Sequence, residues 1–400
     1  MADRVSVDEH AAFLRSLLSG LGARPTERVS LADALGRITA SPVESPLPLP
    51  PFRNSQMDGF AVRADDVAGA PVSLPIAGEV AATAGEPAPL EPGTAVRIMT
   101  GAQVPEGADT VVPVEDTEPV GGDVAAVLIR RGRHAGEYVR EPGSDLAAGA
   151  DVLPPGLKLA SRHLAAAAAS GLAELLVRER VRVAVISTGS ELVAPGAELA
   201  PGEIPDSNGI ALAAAVRTAG AVVVHGARVR DAVDRLRAEL DAAHDAGAEL
   251  ILTSGGISQG AYEVVRELVE PLGAWVGSVA MQPGGPQAAG AYRGIPLIGF
   301  PGNPVSAQLS FELFVAPTLR AIAGLPQARR ERLELAAPLT SVSGKRQFLR
   351  GRRTDDGRAE VVGGPGSHLV AALAASDLLI VVPEDVTALD AGAVVDTVEL

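Results

Sequence analysis

Val181-Arg-Val-Ala-Val-Ile-Ser-Thr-Gly-Ser-Glu191 is the stretch on which the reading of the whole chain turns. Up to Ile186 it is apolar but for Arg182, and then it changes at once to hydroxyls, glycine and an acid. A short run that is apolar on both faces predicts a strand buried on both sides, the kind found in parallel sheets covered by helices. The pattern repeats outward. Strands are predicted near 181–186, 221–229, 248–253 and 295–299, alternating with helices near 208–219, 231–246, 261–270 and 304–323. The expectation is a mostly parallel, three-layer α/β domain over 179–325.

Ligands of open α/β sheets sit beyond the carboxyl ends of the strands. Three strand-end loops therefore become candidate binding segments: Ser187-Thr188-Gly189-Ser190-Glu191, Ser254-Gly255-Gly256-Ile257-Ser258, and Pro301-Gly302-Asn303-Pro304 leading to Ser306. Glycine lets backbone amides approach a ligand, hydroxyls add donors, and Asn303 before Pro304 reads as the N-cap of a helix whose free N–H groups favour an anion. Together they predict a cradle for a phosphate or another tetrahedral oxyanion.

Outside that domain the texture differs. Ser6-Val-Asp-Glu9 is a capping-box pattern with Phe13, Leu14, Leu17 and Leu18 behind it, predicting a helix from about Val7 to Ser19. Ser30 to Gly36 reads as a second short helix, and Gly156 to Val177 as a third. Residues 46–145 are short apolar segments punctuated by Pro and Gly, such as Ala95–Met99 and Thr110–Val114, and read as β-rich. Within them Asp58-Gly59 fits a type I′ hairpin turn, with Asp58 exposed at its tip. After 325 the chain turns β-like again, with Thr354-Asp-Asp-Gly357 as a turn. Four structural units follow: 1–45 with 146–178, 46–145, 179–325 and 326–400.

Composition narrows the function. Among 400 residues, 34 Lys and Arg oppose 49 Asp and Glu, a net charge of −15, and Lys158 and Lys345 are the only lysines. A general phosphate-backbone binder needs a basic surface, so nucleic acid is not expected as a partner. With no cysteine, thiolate metal sites and cysteine nucleophiles are excluded. Pro296, Pro301, Gly302 and Pro304 break the uncharged stretch 294–311, so no membrane span is predicted, and no secretory signal pattern is seen; a cytoplasmic protein is expected. Gly256-Ile-Ser-Gln-Gly260 matches the G-x-S-x-G expression of hydrolases, but His368 is the only histidine after Ser258 that could complete a triad. Gly344-Lys345 lacks the flanking residues of a P-loop, and the six histidines have no metal-ligand spacing.

Taken in order, Asn54-Ser-Gln-Met-Asp-Gly-Phe-Ala-Val-Arg63, Ile98-Met-Thr-Gly101, Pro105-Glu-Gly-Ala-Asp109, Ser187-Thr-Gly-Ser-Glu-Leu192, Ser254-Gly-Gly-Ile-Ser258 and Gly302-Asn-Pro-Val-Ser306 resemble the MoeA family of molybdopterin molybdenumtransferases, which includes the E domain of gephyrin. The resemblance implies a multidomain α/β protein: the molybdopterin-binding domain, a β-rich domain, an elongated helical and linker domain, and a C-terminal β-barrel-like domain. It implies insertion of molybdate into adenylyl-molybdopterin with release of AMP, Mg²⁺ as cofactor, a homodimer with its active site between subunits, and other cofactor-synthesis proteins as partners. By position, Asp58, Thr100, Asp145 and Glu191 match residues implicated in catalysis. Carboxylates in an anion-binding cleft require a cation between them and the phosphates, so Asp58, Asp145 and Glu191 are the implied metal or water-positioning groups.

The resemblance assigns substrate binding to Ser187, Thr188, Gly189, Asn208, Ser254, Gly255, Gly256, Ser258, Gln282, Gly285, Pro301, Gly302, Asn303, Pro304 and Ser306, with Arg350 and Ser367 near the oxyanion. The chain departs from the family pattern at Ser190, where many members carry Asp, and at Gly260-Ala261, where an acid is usual. It also departs at Gln282 and Gly285, which replace two lysines of a Lys-Pro-Gly-Lys-Pro segment. Each charged hydrogen bond is worth about 1.5 to 3 kcal/mol, so this loss motivates a competing expectation of a paralogue that binds the pterin nucleotide or scaffolds assembly without efficient transfer.

Overall fold

The computed structural model describes residues 4–121, 125–257 and 263–400. The chain divides into two compact units, one of Thr26–Arg178 and one in which the residues up to Pro25 join Glu179–Leu400.

The larger unit is organised by a six-stranded sheet in the order Val222–Val229, Arg182–Thr188, Leu250–Ser254, Ile295–Phe300, Pro286–Tyr292, Trp275–Ser278. The first four strands run parallel, and the last two are antiparallel additions at one edge. Because successive side chains of a strand point to opposite faces, two cores form. Val183, Val185, Leu250 and Leu252 pack with Leu212, Val216, Leu309 and Phe314, whereas Ala184, Ile186 and Ile251 pack with Leu236, Leu240 and Val265. This is the expected three-layer arrangement, with Ser207–Thr218, Pro304–Ser310 and Ala316–Ile322 on one face and Val233–Asp245 and Val264–Val269 on the other. Each fully buried Leu, Val or Ile contributes roughly 1.5 to 3 kcal/mol to holding the layers together.

The first helix, Val7–Leu17, starts with the expected reciprocal cap: the Ser6 hydroxyl accepts from the Glu9 N–H, and the Glu9 carboxylate accepts from the Ser6 N–H. Its partner corrects the start of the unit expected from 1–45 with 146–178: the residues up to Pro25 go with Glu179–Leu400, whereas Thr26 onward stays with 146–178. Leu14 and Leu18 are fully buried in the same core as Val183 and Phe314. The helix offers a stripe of leucines, and the helical layer beside the sheet supplies the apolar surface that covers it.

The C-terminal residues continue this unit. Arg346–Arg353, Leu378–Val382, Val394–Glu399 and Arg330–Glu334 form a sheet that begins with Met281–Gln282, a strand contributed by the α/β part. Met281 pairs with Arg346 and Gln282 with Gln347.

In the Thr26–Arg178 unit, a six-stranded sheet runs Thr110–Pro113, Gly59–Val62, Ala95–Ile98, Val72–Val80, Ala126–Ile129, Thr117–Val120. Ala61, Val96 and Val111 face one core, and Phe60, Ala95 and Val112 the other. Beside it, Thr26–Ser30 pairs with Glu174–Arg178 and Val43–Glu44 with Asp151–Leu153 around Leu159, Leu175 and Val177.

Three local expectations are corrected here. Ser30 opens a turn rather than a helix, because its backbone is the last rung of a strand paired with Glu174. The helix expected over 156–177 covers only Ser161–Ala169, since Gly171 takes φ +81° and Glu174–Arg178 alternates exposed and buried residues as a strand. Asp58-Gly59 is not a type I′ turn, because Gly59 has no positive φ. Glycine is needed there for another reason: a Cβ would lie 2.1 Å from the Val112 carbonyl oxygen across the neighbouring strand.

Candidate functional site

The strand-end loops of the parallel sheet open onto one cleft of about 990 Å³. Of the sequence-predicted residues, Thr188, Gly189, Glu191, Asn208, Gly255, Gly256, Gln282, Gly285, Pro301, Gly302, Asn303, Pro304, Ser306 and Ser367 line it. Ser187 and Ser254 do not. They are buried beneath the floor, where the Ser254 hydroxyl approaches that of Ser187 at 3.4 Å. Arg350 is also absent from the wall: it is 1% exposed, and its guanidinium donates to the Gly364 carbonyl, supporting the loop that carries Ser367. Ser258 and the Gly260-Ala261 departure lie outside the described residues.

The floor is made of close backbone approaches. Gly255 and Gly256 both hold positive φ, and a Cβ on Gly255 would meet the Thr188 carbonyl oxygen at 2.5 Å. The Asn208 amide donates to the Gly302 carbonyl at 2.7 Å, leaving its Oδ1 buried without a partner among the described residues. A buried acceptor in that state costs about 1 to 3 kcal/mol until a donor reaches it, so the cleft is prepared for a ligand carrying N–H or O–H groups as well as anionic ones. One expectation about the anion is altered. Pro304 does open the helix after Asn303, but the next N–H, that of Val305, donates to the Ser367 carbonyl and ties Ser367 to the cleft.

Strand order arranges charge along the cleft. Asp231 follows Val222–Val229, and Glu191 follows Arg182–Thr188, so the acids sit beside the first two strands of the sheet. Gln282–Pro286 and Lys345 stand beyond the Ile295–Phe300 strand toward the other edge. The acids are partly committed: Asp231 accepts from the Ser190 N–H at 2.9 Å while Ser190 Oγ accepts from the Asp231 N–H at 3.1 Å, and Asp206 caps Ser207–Thr218 through the Gly209 N–H. Ser190 thus has a use of its own, locking two strand-end loops together.

Asp206, Asp231 and Lys345 are cleft residues that the sequence reading missed. Asp231 follows a strand directly, and the strand-end rule applied to a fourth loop would have found it. Lys345 carries no such signal, because it arrives through the pairing of Gln282 with Gln347.

In the Thr26–Arg178 unit, Asp58 is exposed, and its Oδ1 accepts from the Thr100 N–H at 2.6 Å and from the Thr100 hydroxyl at 2.9 Å. The backbone bond first, then the hydroxyl, hold this carboxyl below the usual carboxylate range. Thr100 is therefore the group that aims Asp58. Asp145 lies exposed in the turn after Val139–Arg140, its N–H donating to the Leu49 carbonyl. Among the described residues no three His, Cys, Asp or Glu side chains gather as a metal cage.

Comparison with known proteins covers most of the chain. Residues 5–171 match the MoeA N-terminal region (domain I and II), 184–321 a probable molybdopterin binding domain, and 332–400 the MoeA C-terminal region (domain IV). The chain is 46% identical over 403 residues to molybdopterin molybdenumtransferase 2 of Mycobacterium tuberculosis, covering 97% of each. It is 34% identical over 423 residues to molybdopterin molybdenumtransferase 1 of the same organism, covering 98% of each. The crystal structure of a molybdopterin biosynthesis MoeA protein from Pyrococcus horikosii superposes with a TM-score of 0.78 at 32% identity, covering 99% of both chains.

Proposed function

Because the chain belongs to the MoeA family of molybdopterin molybdenumtransferases, we propose that it acts in molybdenum cofactor biosynthesis as the transferase that inserts molybdate into adenylyl-molybdopterin and releases AMP. The observation that carries this reading is the meeting of the strand-end loops in one cleft, inside the segment that matches a molybdopterin-binding domain. A pterin nucleotide presents ring N–H donors and phosphate acceptors. The unpartnered Asn208 Oδ1 suits the first, and the glycine-lined floor with the Ser306 and Ser367 hydroxyls suits the second.

Asp58, aimed by Thr100 and ionised, is the group we assign to water or proton handling during adenylate release, with Asp145 assisting. Mg²⁺, when bound, would supply charge neutralisation for the phosphates. It usually keeps several waters and takes only one or two carboxylates besides phosphate oxygens. Glu191, an exposed cleft carboxylate, is the residue in the cleft that would hold it. A homodimer acting in the cytoplasm, with contacts to other cofactor-synthesis proteins, completes the proposal. Among the described residues no helix is long and apolar enough to cross a membrane.

The test is direct. Purified protein given adenylyl-molybdopterin, molybdate and Mg²⁺ should release AMP in step with formation of active cofactor. Binding of the pterin nucleotide with no AMP at any molybdate concentration would overturn transfer in favour of a binding or scaffolding role.

A further inference from the structure

Lys345 is half-buried in the wall of the cleft and is the only Lys or Arg among the described residues that line it. It makes no hydrogen bond or ion pair with the described residues. Its neighbour Arg346 does the opposite, pairing with Asp8 at 2.9 Å and Glu384 at 3.0 Å. In a chain with 49 acidic residues against 34 basic ones, an unpaired cation facing a cavity implies that its counter-ion is a ligand.

The surroundings say which end of the ligand. Of the four cleft acids among the described residues, Glu191 and Asp231 follow the two strands farthest along the sheet from the segment that Lys345 adjoins, while Asp206 and Glu263 stand at the starts of Ser207–Thr218 and Val264–Val269. The segment paired with the strand after Lys345 brings Gln282, Gly284 and Gly285 to the cleft, and Ser367 and His368 line the same cleft. The Gln282 side-chain Oε1 accepts from the Gln347 Nε2 at 2.9 Å, which leaves the Gln282 side-chain NH₂ as the part available to an acceptor. Strand pairing of Gln282 with Gln347 and of Met281 with Arg346 fixes Lys345, the residue just before, at that same wall. An ammonium, an amide NH₂ and a serine hydroxyl beside glycines are a donor set for a compact oxyanion carrying no donors of its own.

We propose that Lys345 binds the molybdate oxyanion and, through it, sets the concentration of molybdate at which the protein works. This rests on the transferase reading above, and the test separates the two. Sodium molybdate alone is titrated into wild-type, K345M and K345R protein by calorimetry. In parallel, AMP release is followed against molybdate with adenylyl-molybdopterin held saturating. K345M should bind molybdate roughly 10- to 100-fold more weakly, the loss of one charged hydrogen bond, and raise KM for molybdate far more than it lowers kcat. K345R should restore most of both, and pterin-nucleotide affinity should be unchanged in either variant. Wild-type molybdate affinity in K345M would overturn the proposal, as would a parallel loss of pterin-nucleotide affinity that Arg fails to rescue. If wild-type protein releases no AMP while its molybdate binding still depends on Lys345, the transferase reading fails and the role of Lys345 stands.

Discussion

The cleft at the sheet edge and the turn carrying Asp58 are built on opposite plans. In the cleft, the framework that places the binding groups is mostly backbone: Gly255 and Gly256 in positive-φ conformations, the Gly302 carbonyl held by Asn208, and a helix start tied to Ser367. At the turn it is one exposed side chain, aligned by two hydrogen bonds from a single residue, Thr100. The difference teaches where function and stability are separable. A backbone cradle exists only while the surrounding strands are in register, so damaging it damages the fold. An exposed carboxylate can be removed while its sheet stays intact.

The sharpest way to break this contrast is Asp58→Ala. Acid–base and water-positioning groups contribute roughly 10²- to 10⁴-fold, so turnover should fall by about a thousandfold. The unfolding midpoint should move little, because Asp58 and Thr100 are exposed and water can take the place of the carboxylate on the Thr100 N–H and hydroxyl. A large drop in the midpoint, with activity lost only in proportion to folded protein, would make the carboxylate structural.

Acid should distinguish the two units next. His10 is buried 4.8 Å from the Phe314 ring and 5.1 Å from that of Trp275, and burial pushes its pKa from 6.5 down to about 4. A group whose folded pKa is depressed leaves stability intact above its unfolded pKa and withdraws it as protons bind. The unit holding the cleft should therefore lose about 3 kcal/mol as pH falls from 6.5 toward 4. Denaturation followed through Trp275 fluorescence should show that slope in wild-type protein and a flatter one in His10→Leu. An unchanged slope in the variant would assign the acid sensitivity elsewhere.

Gly255→Ala is the mirror of the first experiment, with a smaller effect. Its φ of +90° and the Thr188 carbonyl 2.5 Å from the added Cβ should cost about 2 kcal/mol of stability. Pterin-nucleotide affinity should weaken with it, whereas Asp58→Ala should leave that affinity unchanged. Full stability of Gly255→Ala by urea titration would show that the cradle tolerates distortion and would erase the contrast.

Much of the larger unit was legible in the sequence because its signals are local. The apolar runs around Val183, Leu252 and Ile298 are strands whichever protein they sit in, and glycine and hydroxyl residues at their ends mark the ligand edge. The capping box at Ser6 is equally local. The failures share one cause. Ser30 and Glu174–Arg178 have weak preferences of their own, and a pairing partner some 150 positions away made them extended. Asp58-Gly59 carries the composition of a hairpin turn, yet a close approach to Val112 is what requires the glycine.

The sequence by itself determined the alternating α/β order, the strand-end loops, the acidic balance, and the candidate residues Asp58 and Gly302-Asn303. Only the tertiary structure decided that Ser187, Ser254 and Arg350 lie beneath the cleft rather than in it, that the first helix packs on the α/β unit, and that Lys345 enters the cleft wall. The physical reason is that periodicity and turn chemistry act over a few residues. Burial, orphaned acceptors and unpaired charge depend on which distant strands lie side by side.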